Sequence, residues 1–382
     1  MGIDVDAWRE RIPAISEHGR VHLNNCSASP LPERGREARR ECERVWIEEP
    51  NPWETWLAKV DEAKERFAGL INADTDEIAV VSCATEALSQ VASALSYDER
   101  DQVVTTDLEF PTVPQFFRAQ ERKRGADLQV VSAADGRRVG VNAYAEAISE
   151  RTKLVCTAHA HSFTGGLIDA GGVADAVHED GGYLFLDAYQ SIGVVPIDVA
   201  AQNIDMLTAG TLKFLLGGPG IAFLYVDDDV VAELEPANLG WFGVDDVFGF
   251  ETEAPEYAPG ARRFEMGTPP APNAYQASAG MSVIEEVGVD SIRERVLERT
   301  AELLVGAEER GFAVRTPRTD AHRGAVVNVQ VAEPAAAAES LLADGICVST
   351  RAGGVRFSPH FYTTEADVVT ALDALAAVAT PV

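Results

Sequence analysis

Tyr183-Leu184-Phe185-Leu186-Asp187-Ala188-Tyr189-Gln190 decides the reading of this chain. A short apolar run closed by a carboxylate reads as a buried strand whose end opens on a site. A second apolar patch, Asp205-Met206-Leu207-Thr208-Ala209, leads to Gly210-Thr211-Leu212-Lys213. A Gly-rich turn, Gly217-Gly218-Pro219-Gly220, and a last apolar strand at 221–226 follow.

Lysine is scarce in this chain, and Lys213 differs from the others. Lys59, Lys64, Lys123 and Lys153 sit in polar or helix-like settings, whereas Lys213 is flanked by apolar residues and a glycine turn. Burial disfavours the charged amine and lowers its pKa, and a neutral amine can form a Schiff base. A strand-end acid and a loop lysine are what pyridoxal 5'-phosphate (PLP) needs: the lysine for its aldehyde, the acid for its pyridinium nitrogen.

The order Asp187-Ala188-Tyr189-Gln190, Thr211-Leu212-Lys213 and Gly217-Gly218-Pro219-Gly220 resembles the class V aminotransferase family. Cysteine desulfurases, selenocysteine lyases, kynureninases and amino-acid epimerases share that family. The resemblance runs from about Leu23 to the C-terminus. It implies an α/β protein of PLP fold type I, with a large domain on a mostly parallel seven-stranded sheet and a small C-terminal α+β domain. The boundaries read from the sequence are an N-terminal arm at 1–22, a large domain at 23–262 and a small domain at 263–382, with a helix over 32–70 interrupted at Pro50-Asn51-Pro52 and one long helix from about Ala274 to Gly311.

Further motifs fit in order. A strand at 77–81 precedes Ser82-Cys83-Ala84-Thr85-Glu86-Ala87, so small residues and a hydroxyl open a helix. Free backbone amides and the dipole make such a start an anion cradle. The Thr-Glu-Ala core matches the family's phosphate turn, which implies cofactor contacts at Ala84 and Thr85. Thr85 also reads as an ordinary N-cap. Phe110-Pro111-Thr112 stands where relatives carry the ring that stacks on the pyridine, a place where desulfurases tend to have His and kynureninases have Phe-Pro-Thr. Phe110 can stack but cannot exchange a proton.

The resemblance places Ser162 near the cofactor's phenolic oxygen, where relatives often have Asn. It places Gln190 and Thr211 at the cofactor too. Leu212 replaces the histidine many relatives have before the lysine. Thr268, in Gly267-Thr268-Pro269, matches a threonine that reaches the phosphate of a neighbouring subunit, which implies a homodimer with shared sites.

On the substrate side, the resemblance nominates Asn25, with Ser27 and Ala28 beside it, and Trp241 of Gly240-Trp241-Phe242-Gly243. The 25–28 stretch reads equally as a plain strand-to-helix turn. Arg356 of Arg356-Phe357-Ser358 is the choice for the substrate carboxylate, because a guanidinium pairs with it bidentately. Arg351 is the runner-up. Desulfurases carry a nucleophilic cysteine on a long loop between such arginines. Here only Ala352-Gly353-Gly354-Val355 separates them. Cys347 precedes the motif in an apolar strand. The functional expectation is a PLP enzyme acting on an α-amino acid, of aminotransferase type. A kynureninase-like hydrolase, a cysteine or selenocysteine lyase, and an inactive scaffold are the alternatives.

Composition frames the rest. At 382 residues with 46% hydrophobic content, the chain has material for two cores. No apolar run reaches the ~20 residues of a membrane helix, and the N-terminal stretch carries acids instead of an apolar leader. A cytoplasmic enzyme with no membrane or nucleic-acid partner is expected. Cys26, Cys42, Cys83, Cys156 and Cys347 form no C-x-x-C pair, and the histidines are scattered, so no disulfide framework or metal site is expected.

The net charge of −29, with arginine greatly outnumbering lysine, reads as a surface built for high salt. Self-repulsion of this size is screened when the Debye length falls to ~3 Å near molar salt. Thermal unfolding across a salt series is therefore expected to show a large rise in stability toward molar KCl. Full stability in dilute buffer would refute a halophilic surface.

Overall fold

The computed structural model describes residues 2–382. In chain order its strands are β1 (Val21–His22), β2 (Ile78–Val81), β3 (Gln102–Thr106), β4 (Asp127–Val131), β5 (Thr152–Ala158) and β6 (Tyr183–Asp187). They continue with β7 (Met206–Gly210), β8 (Ala222–Val226), β9 (Val327–Gln330), β10 (Ile346–Cys347), β11 (Ser349–Arg351) and β12 (Gly354–Phe357).

The expected seven-stranded sheet is present, in the order β2-β8-β7-β6-β5-β3-β4. Only β8 runs against its neighbours. The other strands share one direction, so their carboxyl ends line one edge. Side chains alternate across each strand and feed two cores. Leu184, Leu186, Leu207, Phe223 and Tyr225 face one, and Phe185, Met206, Ala222, Leu224 and Val226 face the other. Burial on both faces explains why these strands are continuous apolar runs in the sequence.

The helices Glu33–Glu48 and Trp53–Ile71, read as one helix interrupted at Pro50-Asn51-Pro52, are separate elements. Phe67 of the second stacks on Phe223 of β8 with ring centres 4.6 Å apart. The helix expected to open the small domain, Ala271–Val287, packs instead against these two helices. Gly288, at φ +86°, breaks what the sequence suggested was one long helix, and Val289–Glu309 continues into the small unit.

That unit holds a three-stranded antiparallel sheet, β11-β12-β9. Its core includes Leu303, Val327, Val355, Phe357 and Leu372, and also Leu23. β1 pairs in parallel with β10. The chain therefore enters through the small unit before building the large one, although 23 had been read as the first residue of the large domain. No helix among the described residues is long and apolar enough to cross a membrane.

Candidate active site

The common carboxyl edge of the parallel strands gathers the chemistry. β2 leads to Cys83-Ala84-Thr85, β3 to Glu109-Phe110, β5 to Ser162, β6 to Asp187 and β7 to Lys213. A cavity of about 260 Å³ opens there, with Ala84, Thr85, Phe110, Ser162, Asp187, Gln190 and Lys213 in its wall. Most of the cofactor residues nominated from the sequence thus converge, although they span more than a hundred positions.

Lys213 Nζ stands 4.5 Å from the centre of the Tyr189 ring and 5.9 Å from that of Phe110. Burial lowers the amine's pKa, and the charges of Arg356 and Arg351 add to this. Asp187 and Cys26 oppose it. Asp187 is pushed the other way: burial raises its carboxyl, against the Tyr189 amide and Lys213. One Asp187 oxygen accepts the Tyr189 amide at 2.9 Å, and the other has no hydrogen-bond partner among the described residues. Gly210 makes room for Tyr189, because a Cβ there would lie 2.0 Å from the phenol oxygen.

The helix Ala84–Ala94 begins at the cavity without a side-chain cap on its first turn. Its first two amides, of Ala84 and Thr85, have no acceptor among the described residues and are open to an anion, whereas Glu86 N donates to Cys83 O at 3.0 Å. Ser162 Oγ and Gln190 Oε1 are both buried, in the cavity wall, and without a protein partner. Gln190 is held by its amide, which donates to Cys26 O at 3.0 Å.

Five nominated residues are not in the cavity wall: Thr211, Asn25, Trp241, Thr268 and Arg356. Thr211 donates its hydroxyl to Gly218 O at 2.9 Å and pins the glycine turn, while Leu212 lines the cavity. Asn25 is fully buried and engaged. Its Oδ1 accepts Tyr362 OH at 2.6 Å, and its Nδ2 donates to Ser358 O at 2.7 Å. Trp241 packs with Trp53, Phe248 and Phe250 outside the cavity. Thr268 is exposed, away from this chain's cavity.

Arg356 is 3% exposed. Its guanidinium donates to Ser162 O at 2.7 Å, Ser349 Oγ at 3.0 Å and Ser27 Oγ at 3.3 Å, and its buried Nε has no partner. Arg351, the runner-up, is exposed.

Sequence reasoning passed over Tyr189, Thr112, Cys83 and Glu109. Tyr189 sat inside a quoted motif without a role. Glu109 gave one signal, an acid between Leu108 and Phe110 at a strand end. Its carboxylate accepts Thr106 Oγ1 and Thr157 Oγ1, each at 2.8 Å, and Ala158 N at 2.9 Å. Burial raises its pKa from 4.5 to about 7, with the three hydrogen bonds opposing and Asp187's charge assisting.

The raised value has a defined sign. Between pH 4.5 and 7 the folded state holds a proton that the unfolded state has lost. Stability present at low pH is therefore lost as pH rises through this window. Glu109→Gln cannot titrate. Its stability relative to wild type should improve by about 3 kcal/mol from pH 4.5 to 7, measured by denaturant unfolding of both proteins. A difference that stays constant with pH would contradict the shift.

The sequence model of the family Aminotransferase class-V matches residues 52–370. An uncharacterised aminotransferase, YcbU, of Bacillus subtilis is 34% identical over 372 residues, covering 97% of each chain. The kynureninase of Geobacillus thermodenitrificans is 27% identical over 339 residues, 85% of this chain and 78% of that one. Among solved structures, the apo cysteine desulfurase of Thermococcus onnurineus superposes with a TM-score of 0.88 at 22% identity, covering 99% of this chain and 98% of the other. A C-DES mutant with glycine covalently linked to its PLP cofactor superposes with the same TM-score of 0.88 at 20% identity, covering 97% and 99%. With the family match running through most of the sequence and a relative aligned almost end to end, the chain belongs to the class V aminotransferase family.

Proposed function

We propose that this protein is a PLP-dependent enzyme of aminotransferase type, acting on an α-amino acid through Lys213. The observation that carries the reading is the cavity in whose wall a half-buried lysine and a half-buried aspartate meet the uncapped start of a helix. The residues present fit the cofactor. Lys213 is its attachment point, Asp187 the partner of its ring nitrogen, and Ala84 and Thr85 the start of its phosphate cradle. Phe110 is a face for the ring, and the unpartnered Ser162 Oγ and Gln190 Oε1 are polar contacts for its edge. When bound, PLP supplies an electron-withdrawing ring that takes up the charge left on the substrate's Cα.

The chain's own groups do the rest. Lys213, with its pKa lowered, moves the proton at Cα. Arg356 takes the carboxylate by exchanging the hydroxyls of Ser27 and Ser349 for a charged partner. That anchor fixes which Cα bond stands upright for cleavage.

Thr112 in the cavity wall favours a kynureninase-like hydrolase as the second reading, since it completes the Phe-Pro-Thr run. A desulfurase working through a loop cysteine has less support. β11 and β12 are joined by a two-residue turn, Ala352 and Gly353, both at positive φ.

A homodimer belongs to the same reading. Trp46 (61% exposed), Phe248 (59%) and Phe250 (69%) border the Trp241 cluster, an apolar surface suited to a second copy. Thr268 and Trp241, outside this chain's cavity, would then serve the neighbour's.

Borohydride reduction of the PLP-loaded protein, followed by peptide mapping, should place the adduct on Lys213. An adduct on Lys153 or another lysine would sink the assignment. For the dimer, Thr268→Ala and Lys213→Ala subunits are each expected to be impaired. Mixing them should restore activity through heterodimers with one intact site. No gain over either parent removes the cross-subunit role.

A further inference from the structure

Phe110 is the ring that faces the cavity beside Lys213, yet it is 44% exposed and little of its own packing holds it. What holds the ring is the backbone between the end of β3 and the helix Thr112–Arg124. On the outer side, Asp107 N donates to Val131 O and Asp107 Oδ1 accepts Ala133 N, both at 3.0 Å. On the inner side the anchor is Glu109. After the turn at 107–108 the Glu109 side chain is buried in the core, 4% exposed, whereas Phe110 beside it faces out.

The inner anchor answers a defined need. β3 ends at Thr106, while β5 runs on to Ala158, which pairs with Asp187 of β6. Past the end of β3, the Ala158 amide has lost its strand neighbour on that side. The Glu109 carboxylate takes its place, and also gathers Thr106 and Thr157. Thr157 is backed by Tyr144 OH at 2.8 Å. One side chain thus connects the strand end beside Asp187 to the residue next to Phe110. Burial makes this carboxyl costly, which counts against an incidental placement.

We propose that Glu109 is a positioning residue: by tying the end of β5 to the loop at 107–112, it seats the Phe110 ring over the cofactor position. The inference rests on the PLP reading for its consequence but not for the seat itself.

Three variants test it: Glu109→Ala, Glu109→Gln and Phe110→Ala, with the Glu109→Ala/Phe110→Ala double variant. Gln keeps the length and can still accept the Ala158 amide while its NH2 group meets the threonine hydroxyls, so it guards against a variant that only fails to fold. Two readouts are used. The first is hydrogen exchange of residues 107–113 in cofactor-free protein. The second is the PLP dissociation constant, with the visible circular dichroism of the bound cofactor.

Glu109→Ala should speed exchange in 107–113, weaken PLP by about tenfold and reduce the dichroic band. Glu109→Gln should stay close to wild type in all three. The double variant should bind PLP no worse than Phe110→Ala alone, because both changes remove the same ring contact. Unchanged exchange in Glu109→Ala, additive losses in the double variant, or equal losses in Gln and Ala would each overturn the proposal. Wild-type protein that binds no PLP would instead defeat the cofactor reading, with the exchange measurement still deciding the seat.

Discussion

The structure depends on placing an amine and a carboxyl, both half-buried in one cavity wall, at one edge of a sheet. Lys213 and Asp187 are each pushed toward neutrality by burial, and each holds the other toward its charged form. Neither charge would be tolerated alone at that depth. Parallel strands make the arrangement possible: with the carboxyl ends of β6 and β7 side by side, both groups arrive on the same side of the sheet. β8 then has to return antiparallel, which frees the glycine turn to close behind Lys213.

The edge is locked from outside the sheet by residues 24–29. The Ser29 hydroxyl sits between Asn25 Oδ1 and the Lys213 carbonyl oxygen, and Ser29 N donates to Leu212 O at 3.0 Å. His360 Nε2 meets Phe214 O at 3.0 Å. Cys26 O accepts Gln190, and Ser27 Oγ accepts Arg356. A turn that looked like a lining for substrate is thus a clamp with three jaws: the lysine loop, the turn after Asp187, and the strand carrying Arg356. Because β1 pairs with β10, the clamp is tied to the small unit. Arg356 and the Lys213 loop therefore share one piece of backbone.

Local signals made the sheet and the centre of the site legible. Asp187 and Lys213 announced themselves as polar residues at the ends of apolar runs, and Thr85 as a hydroxyl at a helix start. The misplaced residues were those whose role depends on a partner far along the chain. Thr211 turns to Gly218 and Asn25 to Tyr362 and Ser358, and neither partner can be read from the local pattern. Glu109 escaped because an acid beside an apolar stretch normally reads as a loop end. Only the early end of β3 shows why it is buried. The single long helix failed at Gly288, whose positive φ is a backbone property that helical periodicity does not reveal.

Thiol placement constrains the reaction further. To reach a sulfur on the substrate, a nucleophilic cysteine has to swing over the cofactor, and this needs loop length. The hairpin between β11 and β12 has none. Cys347 is fixed in β10 opposite His22 of β1, and burial raises its thiol, so little thiolate is available. Cys26 is nearer the chemistry, but its sulfur is buried against Ser349 Oγ at 3.6 Å inside the clamp. Freeing it would release Arg356's neighbours and the lysine loop together. A thiol that cannot move without breaking the contacts around Arg356 is a poor sulfur acceptor, and under the proposed function this favours reactions that Lys213 completes by proton transfer alone.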